Sequence, residues 1–317
     1  MKQLLFIIAS LLLFSFIQNG KEKHVFKNSY THCKYETTAG RLNGTYVSYY
    51  PNGKKKAGGF FENNYRIGKW TVWDSTGRMR MQRVYTDPFH FTRIVPAVPK
   101  DAPVQLLNTS PYEICYNEKG YIHYFPLQER AVMWSKRIWR EIRPSENPVL
   151  FNNNKLFQLI NKGLNEQLFK AYNSKDDEFR EELKQIQNTN NLKVIAFKLK
   201  EDTFFDKDRL VSESRIIGIC PVAINNNTND TSDLYWIYFP ELRTILAQEQ
   251  VQITKQIKSM DDLFFYRYFY GQIYKESNVY DRPISAYAKG MEAVKESERI
   301  EMSLIESEHD IWISLAE

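Results

Sequence analysis

Adjacent acidic residues are the side chains in this sequence whose type and spacing come closest to a chemical site. Asp176 and Asp177 form one pair, and Asp261 and Asp262 form another. Paired carboxylates can bind a hard cation or serve as general acid and base. Each pair stands where a helix is predicted to begin, and negative charge is favourable there in any case. The acidic stretch 201–208 is equally well explained as a solvated turn, so metal binding and acid–base catalysis are not the favoured interpretation.

Histidine and cysteine are too scattered to predict a catalytic or metal site. The five histidines stand singly, and the three cysteines, Cys33, Cys115 and Cys220, are too widely spaced for a metal-ligand motif and allow one disulfide at most. The sequence also lacks a glycine-rich phosphate loop, a nucleophile elbow and a paired-histidine zinc motif. It therefore predicts a protein without enzymatic activity, cofactor or bound metal.

Charge and hydropathy restrict the compartment and the partners. The 317 residues include 43 basic and 38 acidic ones, for a net charge of +5, which is too mild for a nucleic-acid-binding protein without a dense basic patch. Lys2 and the apolar run at 4–17 predict a signal peptide over residues 1–20. No second apolar run approaches the ~20 residues of a transmembrane helix. We expect an exported, periplasmic protein that meets the membrane only through partners.

The segment 260–283 carries the strongest structural signal, because eight of its twenty-four residues are Phe or Tyr. Ser259 and Asp262 have the spacing of a capping box, which predicts that a helix begins here. Apolar residues would surround most of that helix, so it must be buried in a domain or shared between subunits. Five of its aromatic residues are the predicted subunit contacts: Phe264, Phe265, Tyr268, Phe269 and Tyr270.

Residues 129–142 predict a second amphipathic helix. Apolar residues such as Trp134 and Ile138 recur at helical spacing, and basic residues occupy the opposite arc. The simplest interpretation of that arc is a solvated face. The alternative is docking to an acidic partner, because arginine can pair with a carboxylate through two hydrogen bonds. The candidate contacts are Arg130, Arg137 and Arg140.

An internal repeat lies between residues 40 and 87. The pattern Gly-x-aromatic-x-x-aromatic-x-x-x-Gly occurs at 44–53 and again at 68–77. Strand-like runs separated by glycine turns predict an array of antiparallel hairpins whose aromatic residues pack between the hairpins. The segment resembles the MORN-type repeat in its bacterial variant. Trp70 and Trp73 are its candidate contact residues.

The remaining patterns complete a predicted α+β fold. Antiparallel hairpin repeats at 21–87 are followed by a Pro-rich connector at 88–126 and by a mixed helix and sheet domain at 127–317. The last helix is charged on most sides and is expected to be a surface arm. Further elements predicted in the last domain are helices at 155–172, 176–186 and 284–308 and strands of one sheet at 192–199, 213–222 and 234–239.

Four sequence blocks of the last domain occur in a familiar order: MWSKRIWREI at 133–142, RIIGICPV at 215–222, LYWIYFPELR at 234–243 and YKESNVYD at 274–281. Together they resemble the GldN/PorN family of the type IX secretion and gliding-motility apparatus of Bacteroidota. The resemblance implies a periplasmic subunit without enzymatic activity. It also implies an outer-membrane-associated ring formed with a GldK/PorK-like lipoprotein, and contact with the periplasmic region of a GldM/PorM-like motor protein.

Two hypotheses compete with the ring subunit. The first is a periplasmic module that binds peptidoglycan or another glycan through exposed Tyr and Trp faces of the hairpin repeats. The second is a periplasmic hydrolase that depends on Asp176 or Asp261. The hairpin repeats depart from the family pattern, so the core ring subunit and a specialised paralogue both remain open.

Overall fold

The computed structural model describes residues 20–96, 114–185 and 191–315. Two antiparallel sheets account for its strands, the first formed before residue 96 and the second formed after residue 131 together with most of the helices. This arrangement confirms the predicted α+β class. Nearly all of the predicted signal peptide at 1–20 and the middle of the predicted connector at 88–126 lie outside the described residues.

The first sheet is a meander in which each strand pairs with the next along the chain. Its strands are β1 (Glu22–Lys27), β2 (His32–Thr38), β3 (Arg41–Tyr49), β4 (Lys55–Glu62), β5 (Tyr65–Trp73), β6 (Met79–Tyr85) and β7 (Phe91–Val95). The turns after β3 and β5 are built alike, since the amide of Tyr50 donates to the carbonyl of Lys54 at 2.8 Å and the amide of Asp74 donates to that of Arg78 at 2.9 Å. Gly53, in the first of these turns, has a φ of +82°, which glycine adopts without steric cost.

The second sheet is also antiparallel throughout. Its strands are β8 (Val132–Ile142), β9 (Ala171–Asn173), β10 (Leu192–Asp206), β11 (Val211–Asn225), β12 (Thr231–Asp233), β13 (Tyr235–Tyr238) and β14 (Gln272–Glu276). They lie in the order β14-β8-β10-β11-β13-β9, with β12 beside β11. The three strands predicted at 192–199, 213–222 and 234–239 are confirmed in one sheet.

Four short helices cover one face of the second sheet, and a long helix ends the described chain. The helices are α1 (Pro148–Phe151), α2 (Lys155–Asn165), α3 (Phe239–Gln248), α4 (Met260–Phe265) and α5 (Met291–Leu315). Leu156 of α2, Leu242 of α3 and Phe264 of α4 share the largest hydrophobic core with Phe197 and Ile219 of the sheet. Among the described helices, none is both long and apolar enough to cross a membrane.

The prediction of a helix at 129–142 is wrong, because most of this segment forms strand β8. Apolar residues such as Ile138 and Ile142 recur every four positions, a spacing that returns a side chain to the same face of a helix and of a strand alike. The Trp, Ile and Val content favours a strand, and β8 pairs along its length with β10. Arg137 and Arg140 therefore project from opposite faces of the sheet.

The prediction of a long aromatic helix over 260–283 is also wrong, because the helix that forms there is much shorter. The capping box of Ser259 and Asp262 is present and starts helix α4. The helix ends at Phe265, because Arg267 has a φ of +46°, and the chain continues into strand β14. Four of the eight aromatic side chains are nevertheless buried and three more are half-buried, since a composition this rich in Phe and Tyr favours the interior whatever the local conformation.

Two further helices differ from their predictions. Helix α2 ends at Asn165, seven residues early, because Gln167 has a φ of +55°. The helix predicted at 176–186 is not formed over its described part. The Asp176 carboxylate instead accepts the backbone amide of Glu181 at 2.5 Å, which holds the segment in a turn. Asp side chains compete with helical hydrogen bonds in this way.

The C-terminal helix is not the surface arm that its charge pattern predicts. Helix α5 begins seven residues later than expected and buries Ile300, Met302 and Trp312. These apolar residues point in different directions around the helix axis, so they do not form the single stripe that marks a helix covered on one side. The pattern fits a helix enclosed from two sides.

The three cysteines are free thiols in separate parts of the fold. Cys33 in β2 and Cys220 in β11 are buried, whereas Cys115 is exposed. Burial raises the pKa of the Cys33 thiol to about 12. The single disulfide that the sequence allows is not formed.

Replacing Phe264 by Ala should lower the free energy of unfolding by about 3–5 kcal/mol, because it leaves a cavity in the largest core. Val279→Ala is the matched control, since Val279 is 96% exposed and should change stability by no more than ~0.5 kcal/mol. Urea denaturation of both variants measures the difference. Equal stabilities would contradict the burial described for helix α4.

Candidate interaction site between the two sheets

The C-terminal helix α5 packs between the two sheets and contacts both. On one side, Ile300 and Leu304 join Ile138 and Ile273 of the second sheet in a small hydrophobic core. On the other side, Met302 belongs to a core made of residues of the first sheet. Because the helix buries side chains against both layers, it fixes the position of one sheet relative to the other.

Glu306 is a buried carboxylate of α5 that faces the first sheet. Its oxygens lie 2.8 Å from Nζ of Lys56, 2.6 Å from the hydroxyl of Tyr46 and 3.0 Å from Nδ1 of His309. Burial by itself would raise the pKa of Glu306, but the contacts with His309 and Lys56 outweigh it and hold that pKa well below its usual range. These partners offset the cost of removing the Glu306 carboxylate from water, a cost that an isolated buried carboxylate would bear in full.

Glu308 extends the same network to the second sheet. One of its oxygens lies 2.8 Å from Nη2 of Arg66 in β5, and the other accepts the backbone amide of Ser212 in β11 at 2.9 Å. Nη2 of Arg66 is also 3.3 Å from Nε2 of His309. A guanidinium group can only donate, so Nε2 accepts and Nδ1 carries the proton that His309 donates to Glu306. One turn of helix thus links both sheets through hydrogen bonds.

A second buried network surrounds Glu201 of β10, which has no exposed surface. Arg140 of β8 approaches it at 2.9 Å, and Arg267, just after α4, approaches it at 3.1 Å. Arg140 also contacts Glu301 of α5 at 2.5 Å. Burial would raise the pKa of Glu201, but the guanidinium groups of Arg267 and Arg140 hold it below its usual range. This network ties the second sheet to helix α5.

The aromatic segment after α4 forms the third connection between the sheets. Nδ2 of Asn64 donates to the backbone carbonyls of Arg267 at 3.1 Å and Phe269 at 3.2 Å. The guanidinium group of Arg41 lies 4.2 Å from the ring centre of Tyr268, close enough for a cation–π contact. The segment predicted to join subunits therefore joins the two sheets within one chain.

These three connections leave an open cleft of about 940 Å³ between the sheets. Tyr35 and Tyr85 line it from the first sheet, Thr203 from the second, and Glu298 and Glu301 from α5. A volume of this size is typical of ligand-binding clefts. The cleft is the candidate binding site of the molecule.

The structure distributes the predicted contact residues between the interior, the cleft and the surface. Phe264, Phe265, Phe269, Trp70 and Arg140 are buried, Tyr268, Tyr270, Trp73 and Arg137 are half-buried, and Arg130 is exposed. It brings four of them to the cleft, namely Phe265, Phe269, Tyr270 and Arg140. The other six do not line it. The buried residues among the ten cannot touch a partner directly, so they can support partner binding only by stabilising the fold.

The acidic pairs singled out in the sequence have structural partners. Asp261 forms two contacts of 2.8 Å with the guanidinium group of Arg243. Asp262 caps helix α4, and Asp177 accepts the indole proton of Trp139 at 2.6 Å. Over residues 20–96, 114–185 and 191–315, no cluster of three or more His, Cys, Asp or Glu side chains could hold a metal ion.

Sequence reasoning missed the charged residues that matter most for this site. Glu306 and Glu308 fall within the charged helix predicted at 284–308, and His309 is one of the five histidines that stand singly. Their partners Lys56 and Arg66 are more than 200 residues away in the sequence. The spacing of Glu306 and His309 by three positions places them on the same face of a helix, which was the one available signal. It does not reveal what faces them.

The fold and its cleft define an α+β protein in which charged side chains from two sheets and one helix are paired internally. The chain belongs to the GldN family: the profile of the family described as gliding motility associated protein GldN matches residues 127–313. The match covers the second sheet and nearly all of α5, and it leaves the first sheet outside. The chain is therefore a component of the gliding-motility and type IX secretion machinery. A search of curated proteins found none that matches it.

The Glu306 network makes a prediction about acid stability. A carboxylate whose pKa is lowered by folding contributes stability above its ordinary pKa, here 4.5, and that contribution is lost as the pH falls towards the lower pKa of the folded state. Glu306→Gln should cost about 3–5 kcal/mol at neutral pH and should make the decline in unfolding free energy below pH 4.5 shallower.

Denaturant titrations across that pH range test the prediction. Glu118→Gln is the matched control, because Glu118 is exposed and its replacement should leave the pH profile unchanged. If Glu306→Gln and the unsubstituted chain lose stability in parallel on acidification, the network does not hold the pKa of Glu306 down.

Proposed function

We propose that the chain is a non-enzymatic, periplasmic structural subunit of the type IX secretion and gliding machinery. In this proposal, copies of the chain form an outer-membrane-associated ring with a GldK/PorK-like lipoprotein and contact the periplasmic region of a GldM/PorM-like motor protein. The chain binds no nucleic acid, and its membrane contact passes through these partners. The family match over residues 127–313 carries the proposal.

The state of the buried carboxylates supports a structural role. Asp261 is closed off by Arg243, and Glu201 lies between Arg140 and Arg267. A general acid or base must reach a proton of its substrate, whereas these carboxylates already accept hydrogen bonds from guanidinium groups. Their arrangement suits a rigid subunit.

Exposed apolar residues of the family-matched region offer a surface for partners. Val279 and Tyr280, after β14, are 96% and 74% exposed, and Met291 at the start of α5 is also exposed. Large apolar side chains grouped on a surface mark interaction sites. The proposal assigns partner contacts to this segment and keeps Arg130 and Arg137 as polar contacts, because both retain accessible surface.

A periplasmic peptidoglycan- or glycan-binding module is the alternative function. Trp70 has no exposed surface, so it has no face to offer a sugar ring. The role would fall to Tyr30 and Phe60, which are exposed near or within the first sheet. Deleting that sheet would not separate the two functions, because it would also remove the partners of Glu306 in α5.

Recovery of native complexes tests the proposed function. A C-terminally tagged full chain, purified from gently solubilised outer membranes, should bring down a GldK/PorK-like lipoprotein in near-stoichiometric amount. Electron microscopy of the eluate should show ring-shaped particles. The double variant Val279→Ser with Tyr280→Ser should lower this recovery at least about tenfold, because exposed apolar anchors contribute most of the binding energy at interfaces.

The matched control is Val25→Ser, an exposed apolar residue of β1 outside the family-matched region. Its recovery of the lipoprotein should equal that of the unsubstituted chain. A monodisperse chain alone, from membranes in which the ring lipoprotein is itself intact, would exclude the ring subunit. Specific retention of soluble peptidoglycan fragments that Tyr30→Ala and Phe60→Ala abolish would favour the glycan-binding alternative.

A further inference from the structure

The cleft between the sheets is acidic, although the chain as a whole is basic. Seven carboxylates and four arginines line it, whereas the net charge of the chain is +5. Each of the four arginines has a carboxylate partner: Arg66 pairs with Glu308, Arg140 with Glu301, Arg267 with Glu201 and Arg209 with Asp206. The charge left over in the cleft is therefore negative.

Three carboxylates supply most of this excess, and two of them, Glu146 and Glu298, lie close enough to Tyr270 to act on its hydroxyl. Glu146, Glu298 and Asp208 line the cleft and form no ion pair with any part of the chain that the structure describes. Glu298 accepts the hydroxyl proton of Tyr35, which leaves its negative charge in place. Arg140 also lies near Tyr270 but is paired with Glu301, so Glu146 and Glu298 are the two carboxylates beside Tyr270 that have no ion-pair partner among the described residues.

Tyr270 stands beside these two carboxylates and adds an aromatic surface. Its ring packs tightly over Gly40, where an added Cβ would come within 2.5 Å of the ring. Burial and the charges of Glu301, Glu146 and Glu298 raise the pKa of the Tyr270 hydroxyl and outweigh the opposing effect of Arg140, so the group stays neutral. A neutral aromatic ring beside unpaired carboxylates is the environment that attracts an ammonium or guanidinium group.

The rest of the cleft has apolar walls that are held in place. Phe89, Phe125 and Phe265 line it, and the ring centres of Phe89 and Phe265 are 5.5 Å apart. Asn64 and helix α5 fix the opposite walls through the contacts described above. A site whose walls do not have to be ordered on binding loses less entropy when a ligand enters.

We propose that this cleft is the docking site for an extended segment of a partner polypeptide that carries Lys or Arg side chains among apolar ones. The cationic group enters between Glu146, Glu298 and Tyr270, and the apolar side chains pack on the phenylalanine walls. The negative charge of the cleft favours a cationic ligand. Phosphorylated lipids and carboxylate-bearing glycans are anionic and would be repelled here. The inference goes beyond the proposed function and does not depend on ring assembly.

Fluorescence anisotropy with two labelled octapeptides tests the proposal on the full chain. The first probe contains two Lys among Ser, Leu and Tyr, and the second has both Lys replaced by Glu. The lysine probe should bind at low salt at least about tenfold more tightly than the glutamate probe, and its affinity should fall as salt is added. Equal binding of the two probes would overturn the proposal.

Substitutions in the cleft locate the binding. Glu146→Gln combined with Glu298→Gln should weaken the lysine probe about five- to twentyfold, since each change removes one charge contact of a partly desolvated pair. Gln can still accept the Tyr35 hydroxyl, so the fold is retained. Glu118→Gln, at an exposed site away from the cleft, should leave the affinity unchanged. An unchanged affinity in the double variant would overturn the proposal.

Photocrosslinking gives a second readout that does not rely on any variant. A lysine probe with a benzophenone group should label residues beside Tyr270 and along α5 near Glu298. Labelling confined to the exposed apolar segment at Val279 and Tyr280 would overturn the proposal. Displacement of the lysine probe by soluble peptidoglycan fragments, but not by unlabelled lysine peptide, would assign the cleft to a glycan and would also overturn it.

Discussion

Burial of charged side chains along the C-terminal helix is the constraint on which the rest of the structure depends. A carboxylate taken out of water is costly unless it is paired and hydrogen-bonded. Glu306 and Glu308 obtain their partners from both sheets, through Lys56 and Arg66 of the first and the amide of Ser212 of the second. Sliding one sheet along the helix would leave these charges unpaired. The separation of the sheets, and hence the cleft between them, follows from the same contacts.

This constraint makes the first sheet part of the fold of the family-matched region. The match to the GldN family ends at residue 313, within α5, yet the cations that neutralise Glu306 and Glu308 lie on strands β4 and β5, outside it. The backbone of the aromatic segment is likewise held by Asn64, between those two strands. The hairpin sheet is therefore an integral layer of this chain, and the cleft needs residues from both regions.

Local patterns in the sequence predicted part of the local structure correctly. The glycine turns of the hairpins, the capping box at Ser259 and the β-branched runs of the second sheet each depend on neighbouring residues, and each was correct. The prediction for the segment at 129–142 was wrong because a four-residue apolar spacing suits helices and strands alike. The burial of α5 and the charge pairs of the cleft could not be predicted, because a partner such as Lys56 for Glu306 is defined only by tertiary structure.

The position of α5 also has a mechanical consequence. Its contacts are distributed along the helix: Glu301 pairs with Arg140 of the second sheet, Glu306 pairs with Lys56 of the first, and the indole of Trp312 donates to the carbonyl of Leu210 at 2.8 Å. A force that pulls the sheets apart is shared among these contacts, so several must break together before either sheet moves. A chain built in this way therefore resists stretching between its two sheets.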